Sequence, residues 1–141
     1  MTVSKTFVRI EHKELGKGFL STSYLMENNV ELDYEITHTF STFPAPYAEE
    51  ELHIGYATPG DRWSKFNTRF FFGFHRIDQI LKLIEMTQLS KMVNLGFRVY
   101  EIKVSKHHES PNQVMYDMDD IVEKIDITDR VFQCYLGNMN N

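Results

Sequence analysis

Between Arg69 and Val104 the apolar residues change their spacing twice, and that double change constrains the fold more than any other feature of the chain. Arg69-Phe-Phe-Phe-Gly-Phe74 is an apolar run short enough for a buried strand and is ended by Gly73. Ile77, Ile80, Leu81 and Ile84 then fall at i, i+3, i+4 and i+7, the stripe of one helix face, with Asp78, Lys82 and Glu85 opposite. Leu89, Met92 and Val93 add a second short turn of helix, and Gly96 stands where a helix C-terminal glycine belongs. Phe97 to Val104 returns to alternation, with Tyr100, Ile102 and Val104 sharing a face with Arg98, and its β-branched and aromatic content predicts an inner strand. The expected class is α+β: a strand-rich domain with one principal helix between two strands.

The flanks are read against this block. Thr6 to His12 alternates, Val8 and Ile10 on one side and Phe7, Arg9 and Glu11 on the other, as in a partly buried strand. Gly16 and Gly18 mark a turn of positive φ after it. From Ser21 to Asp61 no period can be counted, so short strands and a long irregular loop containing Pro44, Pro46 and Pro59 are expected, and loops of such length are often functional. Beyond the block, Ser105 to Asn112 reads as a polar loop and Gln113 to Tyr116 as a strand. Asp120-Ile-Val-Glu123 has the spacing of a capping box and predicts a brief helical turn. Ile127, Phe132, Cys134 and Leu136 favour extended chain from Ile125 to Leu136, with residues 137–141 frayed.

With 141 residues, 42% of them hydrophobic, the chain suits one globular domain over residues 1–141 and is short for two. The net charge of −5 argues against a general phosphate-binding surface, so nucleic acid is not an expected partner. The single cysteine, Cys134, cannot form an internal disulfide, and a reducing compartment, the cytoplasm, is expected. No apolar stretch approaches the roughly 20 residues needed to cross a bilayer, and the first ten residues lack the apolar run of a secretory signal.

Motifs that would carry chemistry are weak. Only His107 and His108 are adjacent among the histidines, with no H-x-x-x-H pair, so no metal site is expected. Glu49-Glu-Glu51 and Asp117-Met-Asp-Asp120 lack the alternation and glycine of a calcium loop. Gly16-Lys-Gly18 lacks the continuation of a phosphate-binding loop, and there is no nucleophile elbow. Cys134 is expected to be inert core, and no catalytic residue is assigned.

Two resemblances add to this reading. A first strand carrying Arg9 and His12, a strand running into a helix from Phe70 to Ile84, the Val99–Val104 strand and a late strand beginning at Gln113 resemble the core order of ADP-ribosyltransferase-like domains. That likeness implies a ligand site made by Arg9, His12, Phe74 and Gln113. It also implies that the late strand's usual carboxylate is replaced by the neutral amide of Gln113, which cannot stabilise a developing cation as a full charge would. Binding without a cofactor is therefore expected, with NAD-dependent ADP-ribosyl transfer as the alternative. Separately, Phe7-Val-Arg-Ile-Glu-His12, Phe43-Pro-Ala-Pro-Tyr47, Phe72-Gly-Phe-His-Arg-Ile-Asp-Gln-Ile80 and Gly96-Phe-Arg-Val-Tyr-Glu101 resemble a set of small bacteriophage-encoded proteins. This implies a viral accessory protein working inside a bacterium.

Aromatic residues crowd the aperiodic middle segment: Tyr24, Tyr34, Phe40, Phe43, Tyr47, Tyr56 and Trp63. Rings in loops bury large area at low entropy cost, so Phe43, Tyr47, Tyr56 and Trp63 are the expected partner-binding residues. The alternative is a satellite core beneath the loop. The expected partner is a host protein or a small nucleotide-like ligand, held without catalysis to counter a host defence.

Overall fold

The computed structural model describes residues 4–18, 22–32, 34–41 and 70–139. Their elements run β1 (Lys5–His12), α1 (Thr22–Glu27), α2 (Tyr34–Ser41), β2 (Phe70–Gly73), α3 (Ile77–Leu83), α4 (Met86–Asn94), β3 (Phe97–Val104), β4 (His108–Glu109), β5 (Val114–Asp117), β6 (Ile121–Asp126) and α5 (Thr128–Met139), with a 3-10 turn at Met118–Asp120. The class is α+β, as the changes of period predict.

Two antiparallel sheets, ordered β1-β3-β6 and β2-β5-β4, form the framework. In the first, Phe7 pairs with Ile102, Arg9 with Tyr100, and Ile10 with Val99. One face of this sheet presents Val8, Ile10, Phe97 and Val99 to Ile80 and Ile84, to Leu89 and Met92 of α4, and to Val131 and Tyr135 of α5; Leu25, Val30 and Ile36 close the same core. The opposite face presents Phe7, Ile102 and Val104 to Val114 and Tyr116 of the second sheet. The two sheets meet where Val8 and Phe74 exchange backbone hydrogen bonds of 2.9 and 2.7 Å. Gly73 sits at that junction, where an added Cβ would lie 2.6 Å from the Phe7 ring and 2.7 Å from the Val8 carbonyl oxygen. Close approach of two backbones therefore requires glycine there.

Several expectations are corrected. The first strand is not half-buried: Phe7 to His12 are all buried, because the helices cover one face and the second sheet the other. Within the middle segment, Thr22–Glu27 and Tyr34–Ser41 are helices, where short strands and a long loop were expected. Of the two turn glycines only Gly16 has positive φ, at 67°. No helical turn forms at Asp120–Glu123; Glu123 is within β6, paired with Lys103, because β3 offers an edge that five residues of β6 pair with together. Of the extended run expected from Ile125 to Leu136, Ile125 and Asp126 are extended in β6, but from Thr128 the chain is α5, the longest of the described helices. Its start is fixed by the Asp126 carboxylate, which accepts the Thr128 N–H at 2.9 Å and hydroxyl at 2.7 Å. The Thr128 hydroxyl oxygen in turn accepts the Val99 N–H at 2.8 Å, tying the helix to β3. Cys134 thus lies half-buried on a helix rather than in a core strand.

Helices α3 and α4 lack serine caps, and glutamines three residues in take their place. The Gln79 amide oxygen accepts the His75 and Arg76 N–H groups at 2.6 and 3.3 Å, and that of Gln88 accepts the Glu85 N–H at 2.9 Å. At the far end of α4, Gly96 takes φ 103° and its N–H bonds the Val93 carbonyl at 3.0 Å.

Candidate functional site

Arg9, the first residue expected to bind a ligand, is the centre of a buried charge network. Alternation on β1 turns Arg9 and Glu11 to the face covered by the second sheet, where each is 5% exposed. The Arg9 Nε donates to Glu11 Oε1 at 2.9 Å, and Nη1 donates to the Phe72 carbonyl at 2.6 Å. Its guanidinium lies over the Phe71 ring, 5.1 Å from the centroid. The second Glu11 oxygen accepts from Lys124 on β6, whose ammonium sits 4.5 Å above the Tyr100 ring. One carboxylate therefore serves two cations, which is how a folded chain keeps such groups buried at all. Burial pushes the neighbouring Tyr116 hydroxyl up to about 12.

His12, three residues along the strand, faces the opposite side. Its Nδ1 accepts the Leu15 N–H at 3.2 Å, so Nε2 carries the proton and donates to the Leu95 carbonyl at 3.0 Å. The ring packs edge-on against Phe97, and a Cβ on Gly96 would come within 2.6 Å of it. Both nitrogens are engaged in holding the turns after β1 and α4. Phe74 is buried in the helix-side core beside Val8. Gln113 is buried just before β5, its N–H donating to the Ser110 hydroxyl at 3.1 Å and its carbonyl accepting the Ser110 N–H at 2.9 Å. The sheet thus stands between Arg9 and His12, with Phe74 on the helix side and Gln113 bonded to Ser110 beside the second sheet.

Phe43, Tyr47, Tyr56 and Trp63, expected to contact a partner, lie outside the described residues. Of the middle segment's aromatics, Tyr34 has a described side chain, and it is 81% exposed at the start of α2. Its ring stacks on His38 one turn later, centroids 5.8 Å apart and planes 16° from parallel. Tyr34 also shares its helix face with Thr37, which with Leu25, Met26, Val30, Glu31 and Leu32 lines a groove of about 210 Å³ between α1 and α2. Met26, at the groove's lip, is 61% exposed.

The groove is shaped by how α1 ends. Asn29 adopts φ 63°, the Val30 N–H returns to the Leu25 carbonyl at 2.8 Å and the Asn29 N–H to Met26 at 3.1 Å. This is a Schellman closure with asparagine in the left-handed position, and it brings buried Val30 against buried Leu25. Met26, Glu27 and Glu31 were not singled out from sequence; Asn28-Asn29 before a valine is the signal that could have placed a helix end there.

A second concavity of about 540 Å³ is lined by Lys5, His75, Arg76, Gln79, Glu109, Ser110 and Pro111, where Lys5 and Glu109 pair at 3.6 Å and His75 bonds the Ser110 carbonyl. Among the described residues no group of three His, Cys, Asp or Glu is placed to hold a metal ion, and no helix is long and apolar enough to cross a membrane.

Comparison with known proteins connects the sequence to a bacteriophage protein family. No curated protein and no solved structure matches the chain significantly. A family profile described as "Bacteriophage T4 Y00F protein" matches residues 3–128, which span every described element from β1 to β6 and the first residue of α5. That span is most of the sequence, and the chain belongs to this bacteriophage protein family.

Proposed function

We propose that this phage protein is a non-catalytic binding protein that acts in the cytoplasm of the infected bacterium, holding a host protein at the α1–α2 face and so countering a host defence. The observation that carries this reading is the exposed pair Tyr34 and Met26 beside an open apolar groove. An isolated exposed apolar residue is ordinary. An aromatic ring and a flexible thioether flanking a groove form the arrangement found at protein-binding anchors. Stacking on His38 holds the Tyr34 ring in place before any partner arrives, which lowers the ordering cost of binding.

The test is capture from host lysate with the wild-type protein and the Tyr34→Ala variant. The wild type is expected to retain one host protein in stoichiometric amount. An anchor ring at the centre of an interface contributes roughly 2 kcal/mol, so the variant should bind about thirtyfold more weakly. Equal capture by both proteins, or transfer of label from NAD to lysate proteins, would contradict the reading.

A further inference from the structure

We propose that the partner docks on the α1–α2 face through a cationic amphipathic protein segment, whose apolar residue fills the groove while flanking Lys or Arg side chains pair with Glu27, Glu31 and Glu35. The inference rests on the binding role just described and specifies its partner.

Charge is distributed unevenly along the sequence. Residues 18–61 contain eight Asp or Glu and no Lys or Arg, whereas the chain as a whole is only −5, so the remainder carries a surplus of three positive charges. In the described part of this acidic segment, Glu27 lies beside Met26 at the end of α1, Glu31 lines the groove, and Glu35 follows Tyr34 in the first turn of α2. All three are exposed, and none has an ion pair or hydrogen bond among the described residues. Some carboxylates elsewhere find cations: Glu11 takes Arg9 and Lys124, Glu101 takes Arg130 at 2.6 Å, Glu109 takes Lys5, and Asp126 takes Arg98 at 2.8 Å; what sets Glu27, Glu31 and Glu35 apart is a segment that contains no Lys or Arg.

One charge lining an apolar groove, with two more exposed on the helices that border it, selects the partner's chemistry. They repel phosphate backbones and anionic lipid surfaces, so neither nucleic acid nor a membrane suits this face. A protein segment with an apolar anchor and a basic rim matches both features, and the charges would steer its approach as well as fix its register. Arg9 and Glu11 are too deeply buried to join in, so the two charge systems are separable by mutation.

The test uses two synthetic amphipathic peptides of about 20 residues with the same leucine pattern, one with lysine and one with glutamate on the polar face. Binding is read by fluorescence anisotropy and by methyl NMR shifts of Leu25, Val30 and Leu32, on the wild type and on the E27K/E31K/E35K variant, whose fold is checked by circular dichroism. The lysine peptide is expected to shift those methyls and to weaken at least tenfold between roughly 50 and 300 mM salt, while the glutamate peptide stays unbound. Charge reversal should exchange the two preferences. Equal binding of both peptides, shifts located elsewhere, or affinity indifferent to salt would overturn the proposal. Should a host protein be captured in a Tyr34-dependent way yet be unaffected by charge reversal, the binding role stands and the cationic partner falls. Should capture show no dependence on Tyr34, both fall.

Discussion

Replacing Glu11 with alanine removes a buried carboxylate shared by two cations, and the structure predicts that the two cations respond differently. Arg9 is 5% exposed; it would keep the Phe72 carbonyl and the Phe71 ring but lose the 2.9 Å bond to its counter-charge. A buried cation left without its anion costs about 3–5 kcal/mol. The Lys124 side chain is 37% exposed and can turn its ammonium to water, so Lys124→Ala should cost only about 1 kcal/mol. Substituting both buried partners with apolar residues of similar volume, Arg9→Met with Glu11→Leu, should lie between neutral and a gain of about 1–4 kcal/mol, since neither desolvation cost is then incurred. Urea denaturation with unchanged m-values measures all three, and for a domain of this size the Glu11→Ala loss corresponds to a fall in Tm on the order of 10–20 °C. A Glu11→Ala protein within about 1 kcal/mol of Lys124→Ala would refute the reasoning, because Arg9 would then have another source of compensation.

Glycine substitutions should differ in sign with the space at each site. Gly73→Ala, whose Cβ would meet the Val8 carbonyl at 2.7 Å, and Gly96→Ala, with φ 103° and His12 at 2.6 Å, should each destabilise by about 1–3 kcal/mol in thermal melts. Gly137→Ala on α5, with no heavy atom within 4 Å, should stabilise by about 0.5–1 kcal/mol in the same assay. Asp126 is pushed up by burial but held down to about 2 by the stronger combined effect of Arg98 and Thr128. Its folded value lies below the ordinary 3.8, so its contribution is complete above pH 3.8 and lost as pH falls towards 2; Asp126→Asn should flatten that part of the acid limb in denaturation curves. Burial raises the Tyr116 and Tyr135 hydroxyls to about 12, so absorbance titration should show both ionising only around that pH, and Tyr135→Phe, which loses the 2.9 Å bond to the Ile84 carbonyl, should cost about 1 kcal/mol.

The parts of the fold legible in the sequence are those whose period is set by one local environment. Strand β3 occupies Phe97–Val104 as its alternation predicts, and α3 begins at Ile77 as its stripe predicts. The C-terminal helix was hidden because Phe132, Cys134 and Leu136 imitate alternation, while the residues that enter the core are Ile127, Val131 and Tyr135, at i, i+4 and i+8. Helices α1 and α2 are too short for a period to show, burying Leu25 and Ile36 respectively. At Asp120–Glu123 a local capping pattern yields to pairing with β3, a contact that no short window contains. On β1, the alternation of Arg9 and Glu11 has the form of a solvent face, yet Phe71 and Tyr116, sixty or more residues away, cover it. Of the proposed docking face the sequence holds Tyr34, one of the crowded aromatics, and the absence of cations from residues 18–61; the groove required the Asn29 helix end.

The central claim is that a host protein is held against the acidic, aromatic α1–α2 face without chemistry being performed on it. Zero-length carbodiimide coupling tests this most directly, since it joins carboxylates to amines that already touch, and mass spectrometry of complexes from infected cells then reads the joined residues. The account predicts links from Glu27, Glu31 and Glu35 to lysines of a single host protein. Links arising instead from Glu109 or Glu123, with these three carboxylates uncoupled, would contradict it.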